Sequence, residues 1–270
     1  MDMNGIALID VASILSSRTG KKPSRLVVAI LKRLIHQDWI NDVLLKIGTR
    51  KDVDFMCAVV EAMDIHLEVK GLENLPEPGN RTMFVCNHPL GGVDVVSVVS
   101  VVGVKYPEGL LIPANDFLLH LKNIKDMLIP VNKVGGQSKE LSDRLNAAYA
   151  SDAQLMFFPA GRVSRKHKGI IADDEWKKNF VSKSVEYHRQ VLPIRIDAQN
   201  SRLFYFVARI RKIIGLKLNI EMLMLPRELY RQRGKTIKIT IGKAVAWKNL
   251  DSTKSPKVLA QEIRAMVYNL

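Results

Sequence analysis

Residues 24–47 carry apolar side chains at helical spacing, and this pattern predicts an amphipathic helix. The apolar positions are Val27, Leu31, Leu34, Ile35, Trp39, Val43 and Ile47. The cations on this segment or beside it are Lys21, Lys22, Arg25, Lys32, Arg33, Lys46, Arg50 and Lys51. Two interpretations are open, a helix that lies at a bilayer interface and a domain helix with a solvated basic face.

From residue 65 onward the pattern alternates between strands and helices. The strand-like segments lie at 66–76, 82–88, 109–114, 127–133, 154–161, 191–197 and 235–245. Helices are predicted at 115–127, at 139–151 with Ser138 as the cap, and at 255–270 with Pro256 near the start. Residues 94–104 form a further buried segment. Repeated strand–helix units predict an α/β fold with a mixed, largely parallel sheet flanked by helices, preceded by the N-terminal amphipathic helical element.

The charge balance narrows the class of partner. The 270 residues include 41 Lys and Arg against 27 Asp and Glu, a formal net charge of +14. This excess favours nucleic acid, an anionic bilayer surface or a phosphorylated substrate. Aromatic residues make up only 6% of the chain, which argues against a stacking surface for single-stranded nucleic acid.

Three other features limit the location and chemistry. The longest apolar run, residues 95–104, is too short to span a bilayer, and the N-terminus lacks the basic region of a signal peptide. Cys57 and Cys86 are isolated, so we expect two small apolar residues in a reduced compartment. The histidines have no partners at ligand spacing, and we expect no metal site.

The segment NHPLGGVD, residues 87–94, contains a histidine and an aspartate six positions apart. On a continuous helix, His88 and Asp94 would lie about 240° apart, on different faces. Pro89 and the two glycines that follow stop a helix and allow the turn that a pair requires. If Asp94 holds one imidazole nitrogen of His88, the other nitrogen is free to accept a proton. The alternative is a surface turn with an incidental histidine.

Four blocks in order resemble the glycerolipid (lysophospholipid) acyltransferase superfamily. NHPLGGVD is similar to its first block, in which a strand ends in Asn-His and an aspartate follows. The later matches are LIPVNKVGG at 128–136, FFPAGRVSR at 157–165, VLPI at 191–194 and the strand ITIGKAV at 239–245. The resemblance covers roughly residues 65–270 and implies a fold like that of glycerol-3-phosphate acyltransferase.

Three departures from the usual blocks resemble one bacterial subgroup. Five residues separate His88 from Asp94 where the superfamily has four, Ala160 replaces a glutamate, and Arg162–Val163 replaces Thr-Arg. These variants are similar to proteins often labelled hemolysins, a subgroup that includes the O-acyltransferases that complete glycine and ornithine lipids. Residues 164–180 and 200–226 echo the same subgroup.

The resemblance implies roles for the candidate site residues. His88 would act as general base on an acceptor hydroxyl, with Asp94 orienting it and backbone N–H groups near Gly161 stabilising the oxyanion. The cations Arg162, Arg165, Lys166 and Lys168 would hold the acceptor's phosphate or carboxylate, with a solvated basic loop as the alternative. The other implied substrate contacts are Asn87, Gly91, Gly92, Asn115, Pro159, Gly161 and Ser164.

The resemblance therefore implies an interfacial O-acyltransferase. Residues 1–60 would form a membrane-interfacial helical element and residues 61–270 the acyltransferase domain. A fatty acyl chain would move from acyl carrier protein or CoA, without another cofactor, to the hydroxyl of a lyso-lipid such as a monoacylated glycine or ornithine lipid. The expected location is peripheral, on the anionic cytoplasmic face of the inner membrane, without nucleic acid as a partner.

Other functions remain as alternatives to this expectation. The first is a 1-acylglycerol-3-phosphate acyltransferase of phospholipid synthesis. A nucleic-acid-binding protein is disfavoured because the chain has no recognisable binding motif and few aromatics. A membrane-lytic protein is disfavoured because the chain has neither a spanning segment nor an alternating barrel pattern.

Overall fold

The computed structural model of the chain describes residues 2–3, 6–106, 109–114, 121–131, 139–216, 219–251 and 253–270. The α-helices in these ranges are α1 (Val11–Thr19), α2 (Arg25–Leu34), α3 (Gln37–Ile47), α4 (Asp52–Ala62), α5 (Gly92–Val102), α6 (Lys139–Ala150), α7 (Asn179–Glu186), α8 (Arg202–Ile213), α9 (Leu225–Arg231) and α10 (Pro256–Asn269). The strands are β1 (Asp2–Met3), β2 (Ile6–Ala7), β3 (His66–Lys70), β4 (Thr82–Cys86), β5 (Leu110–Ala114), β6 (Leu128–Pro130), β7 (Gln154–Phe157), β8 (Arg165–His167), β9 (Ile170–Ala172), β10 (Gln190–Asp197) and β11 (Thr236–Ile241).

Seven of these strands form one sheet in the order β3–β11–β10–β4–β7–β5–β6. Neighbouring strands are parallel throughout except β10 and β11, which run antiparallel. Each strand-like segment of the sequence from residue 66 onward corresponds to one of these seven strands. The predicted α/β fold with a mixed, largely parallel sheet is therefore confirmed.

Helices cover both faces of the sheet, and β4 shows how its residues divide between them. Phe84 and Cys86 pack with side chains of α4 and α5, whereas Met83 and Val85 pack with side chains of α7 and α10. Successive side chains of a strand point to opposite faces, so a strand buried on both faces is a continuous apolar run. All five residues of β4 are buried, and the loop that follows it therefore starts from a rigid position.

The predicted amphipathic helix at 24–47 is two helices in the structure. α2 ends before His36, whose left-handed backbone (φ 53°) separates it from α3. A non-glycine residue in this conformation needs support, and the His36 ring stacks on Tyr230 of α9 with ring centroids 3.8 Å apart. The prediction of one continuous helix was wrong because this contact lies far along the chain and leaves no periodic signal.

The two helices also differ in burial. α2 has no buried residue, whereas α3 buries Val43, Leu44 and Ile47 in the main core. α4 extends across residue 60 and packs on α5, so the boundary between residues 1–60 and 61–270 stays a prediction. Within the described ranges, no helix has the length and apolar character needed to cross a membrane.

Two further predicted helices are seen in part or in altered form. Of the segment 115–127, residues 115–120 lie outside the described residues, and Lys122–Met127 form a 3-10 helix. Ser138, the predicted cap of the next helix, also lies outside them, and α6 begins at Lys139. The buried segment 94–104 lies mostly in α5.

Candidate active site

Three loops meet at the carboxyl edge of the sheet, where β7, β4 and β10 lie side by side. β4 is followed by Asn87 and His88, β7 by residues 158–161, and β10 by residues 198–201. Because the three strands are parallel, the loops at their carboxyl ends lie at the same edge. This edge is where ligands bind in open α/β sheets.

His88 and Asp94 form a direct pair across this edge. Nδ1 of His88 lies 2.9 Å from Oδ2 of Asp94. The turn that the sequence predicted brings them together, because Gly91 has a positive φ of 96°, which glycine adopts readily, and α5 begins at the next residue. The six-residue spacing is therefore bridged by a tight turn into the first turn of a helix.

The carboxylate of Asp94 is held by more than the imidazole. Its Oδ2 also accepts hydrogen bonds of 2.9 Å from the backbone N–H groups of Leu90 and Gly91. The side chain is fully buried, and this burial raises the pKa of Asp94, while the contact with His88 and the two backbone donors counteract the rise. The backbone of the turn between His88 and Asp94 therefore holds the Asp94 carboxylate in place.

The imidazole of His88 is held on one side and open on the other. A carboxylate beside Nδ1 favours the tautomer with the proton on Nδ1, which leaves Nε2 as the basic nitrogen. Nε2 has no hydrogen-bond partner among the described residues, and 17% of the side chain is exposed. The ring of Phe158 packs beside it with centroids 4.4 Å apart. This arrangement suits a general base that receives a proton from a group entering from solvent.

Asn87, a predicted substrate contact, is used within the structure. Its side-chain amide donates to the carbonyl of Ile196 at 2.8 Å, and its Oδ1 accepts from the N–H of Ile196 at 2.7 Å. Asn200 on the loop after β10 donates from Nδ2 to the carbonyl of Pro89 at 3.0 Å. The two amides tie the His88 loop to the end of β10.

Asp173 is a site residue that the sequence reasoning missed. Its Oδ1 accepts from the backbone N–H of His88 at 3.1 Å and from the hydroxyl of Ser164 at 2.6 Å. Its Oδ2 accepts from the indole N–H of Trp176 at 2.9 Å. The side chain is buried, and it joins the first block to the third through one carboxylate.

Several other predicted site residues make hydrogen bonds within these loops or to the segments beside them. Ser164 is buried and its backbone N–H donates to the carbonyl of His88 at 2.8 Å. The carbonyl of Pro159 accepts from the N–H of Lys177 at 3.1 Å. Gly161 has φ 69°, and its own N–H donates to the carbonyl of Phe158 at 2.9 Å, so it is already used within the loop. A Cβ on Gly161 would come within 3.2 Å of Nζ of Lys177.

The predicted cations divide into buried and exposed members. Arg165 is buried, and its guanidinium donates to Oε1 of the buried Glu221 at 2.9 Å and to the carbonyl of Val163 at 2.6 Å. Burial lowers the pKa of Arg165, although the charge of Glu221 counteracts this effect. These contacts favour a positioning role for Arg165.

Arg162 and Lys166, in contrast, are exposed at the rim of the site. Nε of Arg162 contacts Oδ2 of Asp174. Burial alone would raise the pKa of Asp174, but the contacts with Arg162 and His167 together outweigh this effect and lower the pKa. Lys177 is a further exposed cation that the sequence reasoning missed, and we call Arg162, Lys166 and Lys177 the positive rim.

The remaining predicted site residues are accounted for briefly. Gly92 is exposed and is the first residue of α5, so its N–H belongs to the unpaired first turn of a helix, where the helix dipole is positive. Asn115 lies outside the described residues. In the part of the chain that the structure covers, no group of three or more His, Cys, Asp or Glu could hold a metal ion.

Comparisons with known proteins identify the family of the chain. A family profile described as Acyltransferase matches residues 14–270. A Lyso-glycine lipid O-acyltransferase from Phocaeicola vulgatus is 43% identical over 273 residues, covering 100% of this chain and 98% of its own. A second protein of that name, from Bacteroides thetaiotaomicron, is 40% identical over 273 residues and covers 100% of both chains.

A solved structure was also found to be similar. It is the 1-acyl-sn-glycerophosphate (LPA) acyltransferase PlsC from Thermotoga maritima, at a TM-score of 0.45 and 14% identity, and the match covers 90% of this chain and 96% of that one.

The family profile and the two full-length relatives define the class of this enzyme. The chain belongs to the acyltransferase family, and it is an acyltransferase enzyme. The resemblance drawn from the sequence blocks, including the bacterial subgroup indicated by their departures, is thereby confirmed.

Proposed function

We propose that the protein transfers a fatty acyl chain from a thioester to the hydroxyl of a monoacylated amino-acid lipid, with a monoacylated glycine lipid as the favoured acceptor. The observation that carries the chemistry is the 2.9 Å contact between Nδ1 of His88 and Oδ2 of Asp94, which leaves Nε2 as the base. The acceptor is inferred from two full-length relatives, 43% and 40% identical, each named Lyso-glycine lipid O-acyltransferase.

The reaction is a direct displacement at the thioester carbonyl. Nε2 of His88 takes the proton of the acceptor hydroxyl while the hydroxyl oxygen forms a bond to the carbonyl carbon of the thioester. The resulting oxyanion forms beside the first turn of α5, where unpaired N–H groups and the positive end of the helix dipole stabilise negative charge. When the C–S bond breaks, the thiolate leaves and takes the proton back from the His88 imidazolium, which the Asp94 carboxylate has stabilised.

The acceptor headgroup binds at the positive rim. A glycine lipid ends in a carboxylate, and Arg162 and Lys166 are exposed cations at that rim. Because a planar guanidinium binds a carboxylate or a phosphate through two parallel hydrogen bonds, a 1-acylglycerol-3-phosphate acceptor is the second candidate. These two acceptors differ in headgroup charge and shape, and a direct competition between them distinguishes the two functions.

The enzyme works at the anionic cytoplasmic surface of the inner membrane, and α2 is one of its contacts with that surface. Leu26, Val27 and Ile30 of α2 are exposed, and the helix also carries Arg25, Lys32 and Arg33. A basic helix with free apolar side chains lies stably at a bilayer interface. The double variant Leu26→Ser/Ile30→Ser leaves the buried residues of α3 intact and should weaken binding to anionic vesicles, which sedimentation measures. Unchanged binding would remove α2 from this role.

The test of the acyltransferase reaction uses the purified protein with one thioester donor and one acceptor at a time. Acyl-CoA and acyl carrier protein are the donors, and monoacylated glycine lipid, monoacylated ornithine lipid and 1-acylglycerol-3-phosphate are the acceptors. Mass spectrometry of the lipid product should show diacylated glycine lipid as the fastest product with at least one donor. Faster acylation of 1-acylglycerol-3-phosphate would overturn the acceptor assignment and leave the chemistry in place.

A cellular measurement addresses the same acceptor without purified substrates. A strain that lacks this protein should accumulate monoacylated glycine lipid and lose the diacylated form. Re-expression of the wild type should restore the diacylated lipid, and re-expression of His88→Ala should not. An unchanged lipid profile in the deletion strain would contradict the proposed acceptor.

A further inference from the structure

The helix α8 has an apolar side that is not covered by the described part of the chain. Leu203, Phe206, Ile210 and Ile213 follow one another at helical spacing and form a single stripe. Their side chains are exposed by 45%, 59%, 40% and 68%, respectively. We call these four residues the α8 ridge. A patch of this kind marks an interaction surface rather than scattered surface residues.

The opposite side of α8 is firmly attached to the protein. Phe204, Tyr205 and Ala208 are buried, and Phe204 lies under the guanidinium of Arg165 at 5.4 Å from its ring centroid. Ser201 caps the helix by accepting from the N–H of Phe204 at 3.2 Å. The helix is thus anchored by one face, and the ridge is not a core face that failed to pack.

Positive charge borders the ridge on one side. Arg202 and Arg209 are exposed and lie between the ridge and the buried face, and Lys212 is exposed near the end of the helix. None of the three has an ion pair with a described residue. Arg211, on the other side, is 2.9 Å from Oε2 of Glu221. The free charge next to the ridge is therefore positive, and it fits a surface that offers negative groups beside apolar ones.

The ridge begins close to the catalytic loop. α8 follows the loop after β10, and Asn200 in that loop donates to the carbonyl of Pro89, the residue next to His88. Ser201 also donates from its hydroxyl to Oε1 of Glu228 in α9 at 2.7 Å. The start of the helix that carries the ridge is therefore joined to the loop that carries His88.

We propose that the α8 ridge is a docking surface for an anionic lipid bilayer, separate from α2. Large apolar side chains can enter the acyl-chain region of a leaflet, and Arg and Lys side chains beside them can contact its acidic headgroups. The purpose of this contact rests on the proposed function, because a lyso-lipid acceptor would reach His88 from the bilayer. The contact itself is measured without turnover, so it stands or falls independently of the reaction.

Vesicle sedimentation of the full chain tests the apolar part of the surface. The probes are vesicles of phosphatidylethanolamine with phosphatidylglycerol, and vesicles of phosphatidylcholine alone. Phe206→Ser/Ile213→Ser should weaken binding to the anionic vesicles at least about tenfold, because two large apolar side chains are no longer transferred from water into the bilayer. The matched control is Val258→Ser/Met266→Ser on α10, where the two side chains are exposed by 48% and 46%, and it should bind like the wild type.

A charge reversal tests the basic part. Arg202→Glu/Arg209→Glu should also weaken binding to anionic vesicles at least about tenfold, since each cation near an anionic surface contributes on the order of 1 kcal/mol. Lys243→Glu/Lys248→Glu changes the net charge equally on exposed residues of another part of the chain and should have a smaller effect. Equal losses for the two reversals would mean that overall charge, and not this surface, drives binding.

Two further outcomes would overturn the proposal. The first is wild-type vesicle binding by the Phe206/Ile213 variant. The second is a lipid-free dimer in sedimentation velocity that this variant dissociates, which would mean that a second copy of the chain covers the ridge. If the wild type acylates no acceptor but its vesicle binding follows the ridge, the proposed function fails while the docking surface remains.

Discussion

The loops at the carboxyl edge of the sheet and the outer helices α2 and α8 have opposite distributions of polar and apolar groups. In the loops, the charged groups Asp94 and Asp173 are buried and hydrogen-bonded. In the helices, large apolar side chains such as Leu26 and Phe206 are exposed. The buried carboxylates of the loops have their partners within the protein, whereas we propose that the exposed apolar side chains of the helices contact a bilayer. Substitutions in the loops should therefore lower turnover with a detergent-dispersed acceptor and with an acceptor in a bilayer. Substitutions in the helices should lower turnover only when the acceptor lies in a bilayer.

The largest effect is expected from His88→Ala. Removing the proposed base should lower kcat by about 10²–10⁴-fold, the usual contribution of general base catalysis. The measurement is steady-state acyl transfer to a detergent-dispersed acceptor, so that membrane docking does not limit the rate. His66→Ala, an exposed histidine at the start of β3, is the matched control and should retain wild-type kcat. Wild-type turnover by His88→Ala would assign the base to another residue.

The next largest effect is expected from Asp173→Asn. Loss of the charged acceptor weakens the contacts to the His88 backbone and to Ser164, and a small displacement of the base should lower kcat about 10- to 100-fold. The neighbouring residue Asp174 contacts the rim residue Arg162. The variant Asp174→Asn changes the net charge equally and should affect the acceptor KM more than kcat. Measuring kcat and KM for both variants, with urea unfolding in parallel, separates positioning from loss of fold. Equal kcat values for the two variants would contradict the role of Asp173.

Arg162 and Arg165 lie in the same sequence block, FFPAGRVSR, but Arg162 is exposed at the rim and Arg165 is buried. Arg165→Met leaves the buried Glu221 without one of its partners and should lower the free energy of unfolding by about 3 kcal/mol. Arg162→Met removes an exposed contact and should cost less than about 1 kcal/mol, while raising the acceptor KM. Urea unfolding and acceptor titration measure the two effects. If Arg165→Met were as stable as the wild type, with a raised acceptor KM, then Arg165 would belong to substrate binding.

The smallest effect is on the pH dependence of stability, through Asp94. Burial raises its pKa above the ordinary value of 3.8, so the folded state holds a proton that the unfolded state releases. The stability from this proton is present below pH 3.8 and is lost as the pH rises through the higher, folded-state pKa. Asp94→Asn has no such proton, so the free energy of unfolding of this variant should increase relative to that of the wild type as the pH rises through this range. Urea unfolding across the acid range measures it, and parallel curves would contradict it.

The parts that sequence reasoning predicted are those with a local cause. The strands of the sheet are short apolar runs such as TMFVC or alternating segments such as TIKITI. The His88–Asp94 turn depends on Pro89 and the glycines that lie between the two residues. Both signals occupy fewer than ten consecutive residues, and a pattern of that length can be read without knowing the rest of the fold.

The parts that it missed have distant causes. Asp173 lies 85 residues from the backbone N–H that it accepts from, and Glu221 lies 56 residues from Arg165. The break at His36 depends on Tyr230. Exposure of the α8 ridge is equally hidden, because an apolar stripe has the same spacing whether it faces the core or solvent. Burial and pairing of this kind follow from the assembled sheet.

The double hydrogen bond between Asn87 and Ile196 has a consequence for how the enzyme comes into being. The two residues are 109 positions apart, so a growing chain that already contains His88 and Asp94 still lacks the strand that fastens their loop. Catalytic competence should therefore arise late, when β10 joins β4, because contacts between distant residues form slowly. An unfinished chain would carry the reactive pair in an untethered loop, and the first appearance of acyl transfer during refolding would mark the closure of the sheet.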